Sequence, residues 1–229
     1  MAPAIYVDRR DAAKALADSI RLQLGGRLSS TERPLVLAIP RGGVVLGRDV
    51  ARVLGADLDI VVPRKIGSQR NPEFAIGATT HDGALYLDED AVRVTGASAD
   101  YIASEKLRQV KEARRRLDAY RGGRREERIS GRDVIVVDDG VATGATMKAA
   151  IRWVKSRGAR LVVAATPVGP SSTLSSLSRE ADYVVCPNSP EPFYAIGEFY
   201  ERFEQVNDEE VKSMLDEFWR GTSSLSKAE

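Results

Sequence analysis

Short aliphatic runs recur along the chain, each followed by a longer stretch whose apolar residues fall three and four apart. LVLAI (35–39), DLDIVVP (57–63), VIVV (134–137), LVVAAT (161–166) and YVVC (183–186) are the runs. Their unbroken apolar character predicts strands buried on both faces. The intervening segments predict helices. DRRDAAKALADSIRLQL follows Asp8 as N-cap and stops at Gly25, VVLGRDVARVLG closes at Gly55, and ATMKAAIRWVKSRG ends at Gly158, with a further helix near 171–180. FAIGATT and ALYL flank His81-Asp82-Gly83 as a hairpin. The alternation predicts an α/β fold, a parallel sheet covered by helices on both faces.

Two segments stand outside the alternation. Residues 98–121 carry Ile102, Leu107, Val110, Ala113 and Leu117 at helical spacing, and DEEVKSMLDEFW reads as a last helix. A single domain over 1–220 is expected, with a hairpin and helical arm inserted at about 68–130 and a disordered tail over 221–229.

Composition narrows the chemistry. The 229 residues carry 34 Lys+Arg against 33 Asp+Glu, so no overall field favours nucleic acid or a membrane surface. Cys186 is the single cysteine, which excludes an internal disulfide and fits a reducing compartment. No apolar signal core or membrane-length run is present, so a soluble, cytoplasmic protein is expected. The one histidine, His81, leaves no His-rich metal site and reads as a solvated turn residue.

In sheets of this kind ligands bind beyond the carboxyl ends of the strands. Three unusual loops follow strands here, PRGG, PRKIGSQRNPE and DDGVATGAT, and the fold would gather them on one edge. In the third, Asp138 and Asp139 end four aliphatics, and small residues lead into a helix. One Asp could simply cap that helix; two in tandem call for another account. Gly140 and Gly144 let a ligand approach the backbone, and the first helical N–H groups from Thr143 to Thr146 favour an anion. Thr143 and Thr146 add hydroxyls. Carboxylates at one end suit a vicinal diol and the other end suits a phosphate monoester, which together describe a ribose 5-phosphate. The loop lacks the lysine of GxxxxGK[ST], and the chain has no GxGxxG.

VIVVDDGVATGAT resembles the PRPP-binding signature of the type I phosphoribosyltransferases. AIPRGG (38–43) is similar to their pyrophosphate loop, and VVPRK (61–65) to the strand end whose basic residues meet pyrophosphate. The likeness runs over roughly 30–190 and is nearest the branch described only as predicted phosphoribosyltransferases, whose pattern includes NPEFAIGA. The resemblance implies magnesium-dependent transfer of 5-phosphoribosyl from PRPP to an acceptor, with pyrophosphate released. It assigns Asp138 and Asp139 to the ribose hydroxyls and the reaction centre, and Gly140 and Ala142, Thr143, Gly144, Ala145 and Thr146 to the ribose 5-phosphate. Arg41, Gly42, Gly43, Arg64 and Lys65 go to pyrophosphate, and Mg²⁺ is expected to be held mainly through PRPP. A homodimer is expected.

The family's 6-oxopurine enzymes place an Asp four positions after the first acid, where this chain has Ala142. Adenine-like, pyrimidine-like and non-base acceptors therefore stay open, and Phe193, Tyr194 and Tyr200 are candidate stacking rings beside a core-packing role. Seven arginines between Arg114 and Arg128 raise a rival, a PRPP-sensing or RNA-binding regulator without turnover, against a plain solvated helix face. A sugar-phosphate hydrolase is the third alternative.

Overall fold

Each aliphatic run forms a strand where its pattern sets it. The computed structural model describes residues 4–225. Strands β1 (Leu35–Ala38), β2 (Asp57–Ile60), β6 (Asp133–Val137), β7 (Leu161–Ala165) and β8 (Tyr183–Val185) make one parallel sheet in the order β2-β1-β6-β7-β8. Side chains alternate between two cores, as strand geometry requires. Val36, Ala38, Ile135, Val137, Val163 and Ala165 face α1 (Arg9–Leu24), α2 (Gly42–Leu54) and α7 (Asp208–Leu225). Leu35, Leu37, Val134, Val136, Val162 and Ala164 face α5 (Ala145–Ser156) and α6 (Ser171–Leu177). Both faces are covered, and the edge beyond the strand ends is where backbone leaves the core.

The segment between β2 and β6 builds a second, antiparallel sheet, β3 (Arg64–Gly67), β4 (Ala75–Thr79) and β5 (Leu85–Leu87), followed by α3 (Glu89–Thr95) and α4 (Ala99–Arg121). The hairpin forms around 80–84 as its turn residues predict. It lies over α5, where buried Lys148 donates from Nζ to Tyr86 Oη at 3.0 Å. Arg121, at the end of α4, returns to Asp59 of β2 and ties the insertion at its root.

Several local expectations change. The side sheet begins at Arg64, because Arg64 and Lys65 open β3 instead of ending β2. Helix α3 has no apolar stripe to announce it; its residues are all at least partly exposed, and Asp88 caps it by accepting from Ala91 N at 3.0 Å. On α4 the buried set includes Gln109, Ala113, Leu117 and Tyr120, while Leu107 is 70% exposed. The side sheet and α7 cover one side of α4, and the Gln109 amide fits against the sheet by accepting from Arg64 and donating to Glu105. His81 is not a solvated turn residue: its ring stands 5.2 Å from that of Trp153, and Nε2 lies 3.7 Å from Glu126. Helix α7 runs on to Leu225, through the start of the segment expected to be disordered, and residues 226–229 lie outside the described residues. Among the described residues no helix is long and apolar enough to cross a membrane.

Candidate active site

Strand register decides which loops meet. Ala38 stands beside both Ile60 and Val137, so β1, β2 and β6 end level. The chain leaving β1 and the chain leaving β6 then emerge side by side, with Ile39 N donating to Val137 O at 2.9 Å. The Pro40–Arg41 peptide is cis. Gly42 and Gly43 begin α2 directly against the two aspartates. A Cβ on Gly42 would fall on the Asp139 carboxylate and come within 2.9 Å of Arg9 Nε. One on Gly43 would lie 2.8 Å from Val137 O and 3.1 Å from Asp138 Cα. Only glycine admits this approach.

Two helices open at this edge without a side-chain cap. Arg41 precedes α2 and Gly144 precedes α5; neither supplies a capping hydrogen bond, and neither first turn carries an acid. Their first N–H groups and the positive ends of their dipoles stay available to an anion. Gly144 reaches its position with φ 76°, and a Cβ there would also meet Thr173 Cγ2 at 2.9 Å. Ala142 and Thr143 are exposed, Thr146 is half-buried, and Gly140 is covered by Ile196. The loop is fixed by Val141 N donating to Val168 O (3.0 Å) and by Thr173 Oγ1 donating to Ala142 O (2.6 Å). It is a rigid ledge with an open Thr end.

The acid end is different. Asp138 Oδ1 accepts from Asp139 N at 2.9 Å, and burial, then the charge of Asp139, holds the Asp138 carboxyl well above the usual carboxylate range. Asp139 Oδ2 lies 2.7 Å from Arg9 Nε, with side-chain exposures of 13% and 12%. Tyr200 Oη donates to Asp139 O at 2.5 Å. Arg9 in turn lies over the Phe203 ring at 3.9 Å and donates to Glu204 O at 2.7 Å. Sequence reasoning missed Arg9. Its signal was present: a cation in the first turn of α1 opposes the helix dipole, so its partner had to lie elsewhere.

The structure brings Arg41, Gly42, Gly43, Asp138 and Asp139 to one edge. Arg41 stands 3.8 Å from Asp208 of α7, whose carboxylate accepts from Tyr120 of α4 at 2.8 Å. Burial and that hydrogen bond push Tyr120 up to about 12. Arg64 and Lys65 point to other partners. Arg64 donates to Gln109 at 3.1 Å, and Lys65 pairs with Glu73 at 3.0 Å. Of the aromatic candidates, Tyr200 is buried between Tyr6 and Phe203, Phe193 stacks on Phe199, and Tyr194 is 79% exposed.

Comparison with known proteins identifies the family. Residues 8–199 match the model of the phosphoribosyl transferase domain. Two Mycobacterium tuberculosis proteins, from strains CDC 1551 and H37Rv, both named "putative phosphoribosyl transferase", are 40% identical over 212 residues. The matched region covers 93% of this chain and 46% of those relatives, so the chain spans about half their length. A crystal structure from Thermus thermophilus is 42% identical, covers 93% of this chain and 98% of its own, and superposes with a TM-score of 0.78. Sheet order, the paired acids at the end of β6 and the match over most of its length agree: the chain belongs to the phosphoribosyl transferase domain family.

Proposed function

We propose that this chain binds PRPP with Mg²⁺ and transfers its 5-phosphoribosyl group to an acceptor, releasing pyrophosphate. The observation that carries the reading is the contact of Gly42 and Gly43 with Asp138 and Asp139, which joins two uncapped helix N-termini to a pair of carboxylates. In this reading the amides and hydroxyls of Thr143–Thr146 receive the 5-phosphate. Asp138 and Asp139 accept from the ribose diol. The α2 N-terminus with Arg41 takes the pyrophosphate, and Arg64 and Lys65 contribute to it on release from Gln109 and Glu73.

The C1–O bond to pyrophosphate breaks with its electron pair on the leaving group, and the acceptor's lone pair forms the new bond to C1 before its proton is lost. No enzyme nucleophile is required, so the chain's work is to orient the sugar, neutralise the leaving charge and exclude water. Magnesium suits this donor set, because it takes one or two carboxylates and fills its shell with phosphate oxygens and water. Asp138 and Asp139 would hold it from the protein side. When bound, it supplies charge neutralisation to the leaving pyrophosphate.

Titration calorimetry with PRPP, with Mg²⁺ and with EDTA, tests binding; a screen of bases and other nucleophiles with pyrophosphate detection tests transfer. Failure of both PRPP and ribose 5-phosphate to bind would sink the reading. Binding without release of pyrophosphate to any acceptor would favour a sensor, and release to water alone a hydrolase. RNA binding is less favoured by the arm itself: Arg115 and Arg116 are paired with Glu112, Arg121 with Asp59, and Arg124 with Glu127. A homodimer in the cytoplasm belongs to the same proposal, to be checked by light scattering and cell fractionation.

A further inference from the structure

Arg48, on the buried side of α2, is only 7% exposed. Its Nε donates to Asp49 Oδ1 at 2.9 Å, and neither Nη group meets an acceptor among the described residues. The stem is packed into the core, while the Nη groups reach the surface and can donate to a group outside it. The side chain borders a cleft of about 510 Å³ between the start of α1, the middle of α2, residues 202–206 and α7. That is a volume suited to a metabolite-sized ligand.

The cleft is rich in guanidinium groups: Arg9, Arg10 and Arg202 line it along with Arg48. Two of the acids in its wall are engaged. Asp8 caps α1 and pairs with Arg202 at 2.9 Å, and Glu210 accepts from Asn207 N at 2.8 Å. Arg10 has no ion pair within 4.0 Å among the described residues. The Glu204 carboxylate is likewise without one, and Gln205 and Ser213 add neutral polar groups to the wall. Val45, Val206 and Met214 supply the apolar part of the wall.

We propose that this cleft binds a small organic phosphate at a site separate from the sheet edge. Donors of Arg48 and Arg10 approach from two helices, and a tetrahedral phosphate can accept from both, whereas a planar carboxylate uses one fork. The remainder of the ligand would offer a hydroxyl or amino donor to Glu204 and an apolar face to Val45, Val206 and Met214. Arg9 forms the partition, since it lines the cleft while its Nε is held by Asp139. The inference does not depend on PRPP being the substrate.

Arginine side-chain ¹⁵N spectra of the whole protein, with the Arg48 signal assigned by Arg48→Lys, test it. The probes are inorganic phosphate, adenosine 5′-phosphate and adenosine. Saturable movement of the Arg48 signal with the two phosphates, and none with adenosine, is expected. Arg10→Gln should raise the midpoint at least about fivefold, the loss of one charged hydrogen bond at an exposed site. Thr146→Val, at the other site, should leave that midpoint unchanged. A static Arg48 signal while the Thr146 amide moves would overturn the second site, as would a midpoint that follows Thr146→Val. Equal response to adenosine would overturn the phosphate class. Should Arg48→Lys not fold, the Arg10 signal, assigned by Arg10→Gln, is followed with the same three probes, and a static Arg10 signal overturns the site.

Discussion

Two Arg–Asp pairs, both largely withdrawn from solvent, show how the same chemistry is put to different ends. Arg121 grips Asp59 with two bonds, Nη2 to Oδ2 at 2.9 Å and Nε to Oδ1 at 3.1 Å. Ile60 N and Glu127 N donate to the same carboxylate, at 2.8 and 3.0 Å, so its acceptors are filled and both side chains are under a tenth exposed. Arg9 meets Asp139 through one bond at 2.7 Å, and the other group against that carboxylate is the acid of Asp138. The first pair is closed and anchors the insertion to the sheet. The second is open, beside a second carboxylate, with glycine backbone against it. Structural ion pairs in low dielectric need every lone pair met, and a carboxylate left half-served at a cleft is available to a ligand.

Breaking the closed pair should have the largest effect. Asp59→Ala strands the Arg121 charge and is expected to cost about 3–5 kcal/mol in urea unfolding, whereas Asp139→Asn should cost less than about 1 kcal/mol. Equal losses would mean the two pairs do the same job. Next comes Gly42→Ala, whose methyl would displace the Asp139 carboxylate. Ribose 5-phosphate and PRPP affinity should fall roughly a hundredfold, about 2.7 kcal/mol by calorimetry, with the fold retained. Asp138→Asn and Asp139→Asn keep size and remove charge, and should weaken the same ligands roughly ten- to a hundredfold. Unchanged PRPP binding in both, with native circular dichroism, would reduce the loop to a turn.

A smaller effect concerns acid stability near the closed pair. The His81 imidazole, then the Arg121 guanidinium, lower Glu126 to about 2 from an ordinary value of 4.5. The folded state therefore favours its carboxylate, and this stabilisation is complete above the ordinary value. It is lost as pH falls from about 4.5 to about 2. Glu126→Gln should flatten the acid limb of stability over that window, by about 1–2 kcal/mol after allowance for solvent screening. The smallest effect is expected on the arm. Reversing Arg114, Arg115 and Arg116 to Glu removes surface charges, two of them paired with Glu112 and one held by His81 O, and should leave PRPP affinity within about twofold. A large loss would place the arm over the sheet edge, and salt-sensitive RNA binding abolished by the reversal would favour the regulator.

The sheet was legible because buried parallel strands must be continuously apolar, and VIVV and LVVAA have no other reading once helices alternate with them. The Asp138-Asp139 loop was legible for a related reason, since paired charges after a buried strand contradict the local pattern. Leu107 was misread and Gln109 missed on α4, where helical spacing alone does not say which side the small sheet and α7 will cover. His81 was misread too: its turn is where the sequence puts it, but the packing of that turn over Trp153 comes from α5, a distant part of the chain.

The sequence by itself determined the order of elements, the edge on which PRGG and DDGVATGAT emerge, and the glycines that allow close approach there. Those are consequences of local periodicity and backbone freedom. Only the tertiary structure decided that Arg9 reaches Asp139 across 130 residues, that Tyr200 holds its backbone, and that Arg64 and Lys65 begin a second sheet facing Gln109 and Glu73. Ion pairs and partner choice depend on distances between segments far apart in the chain, and no spacing within a segment encodes them.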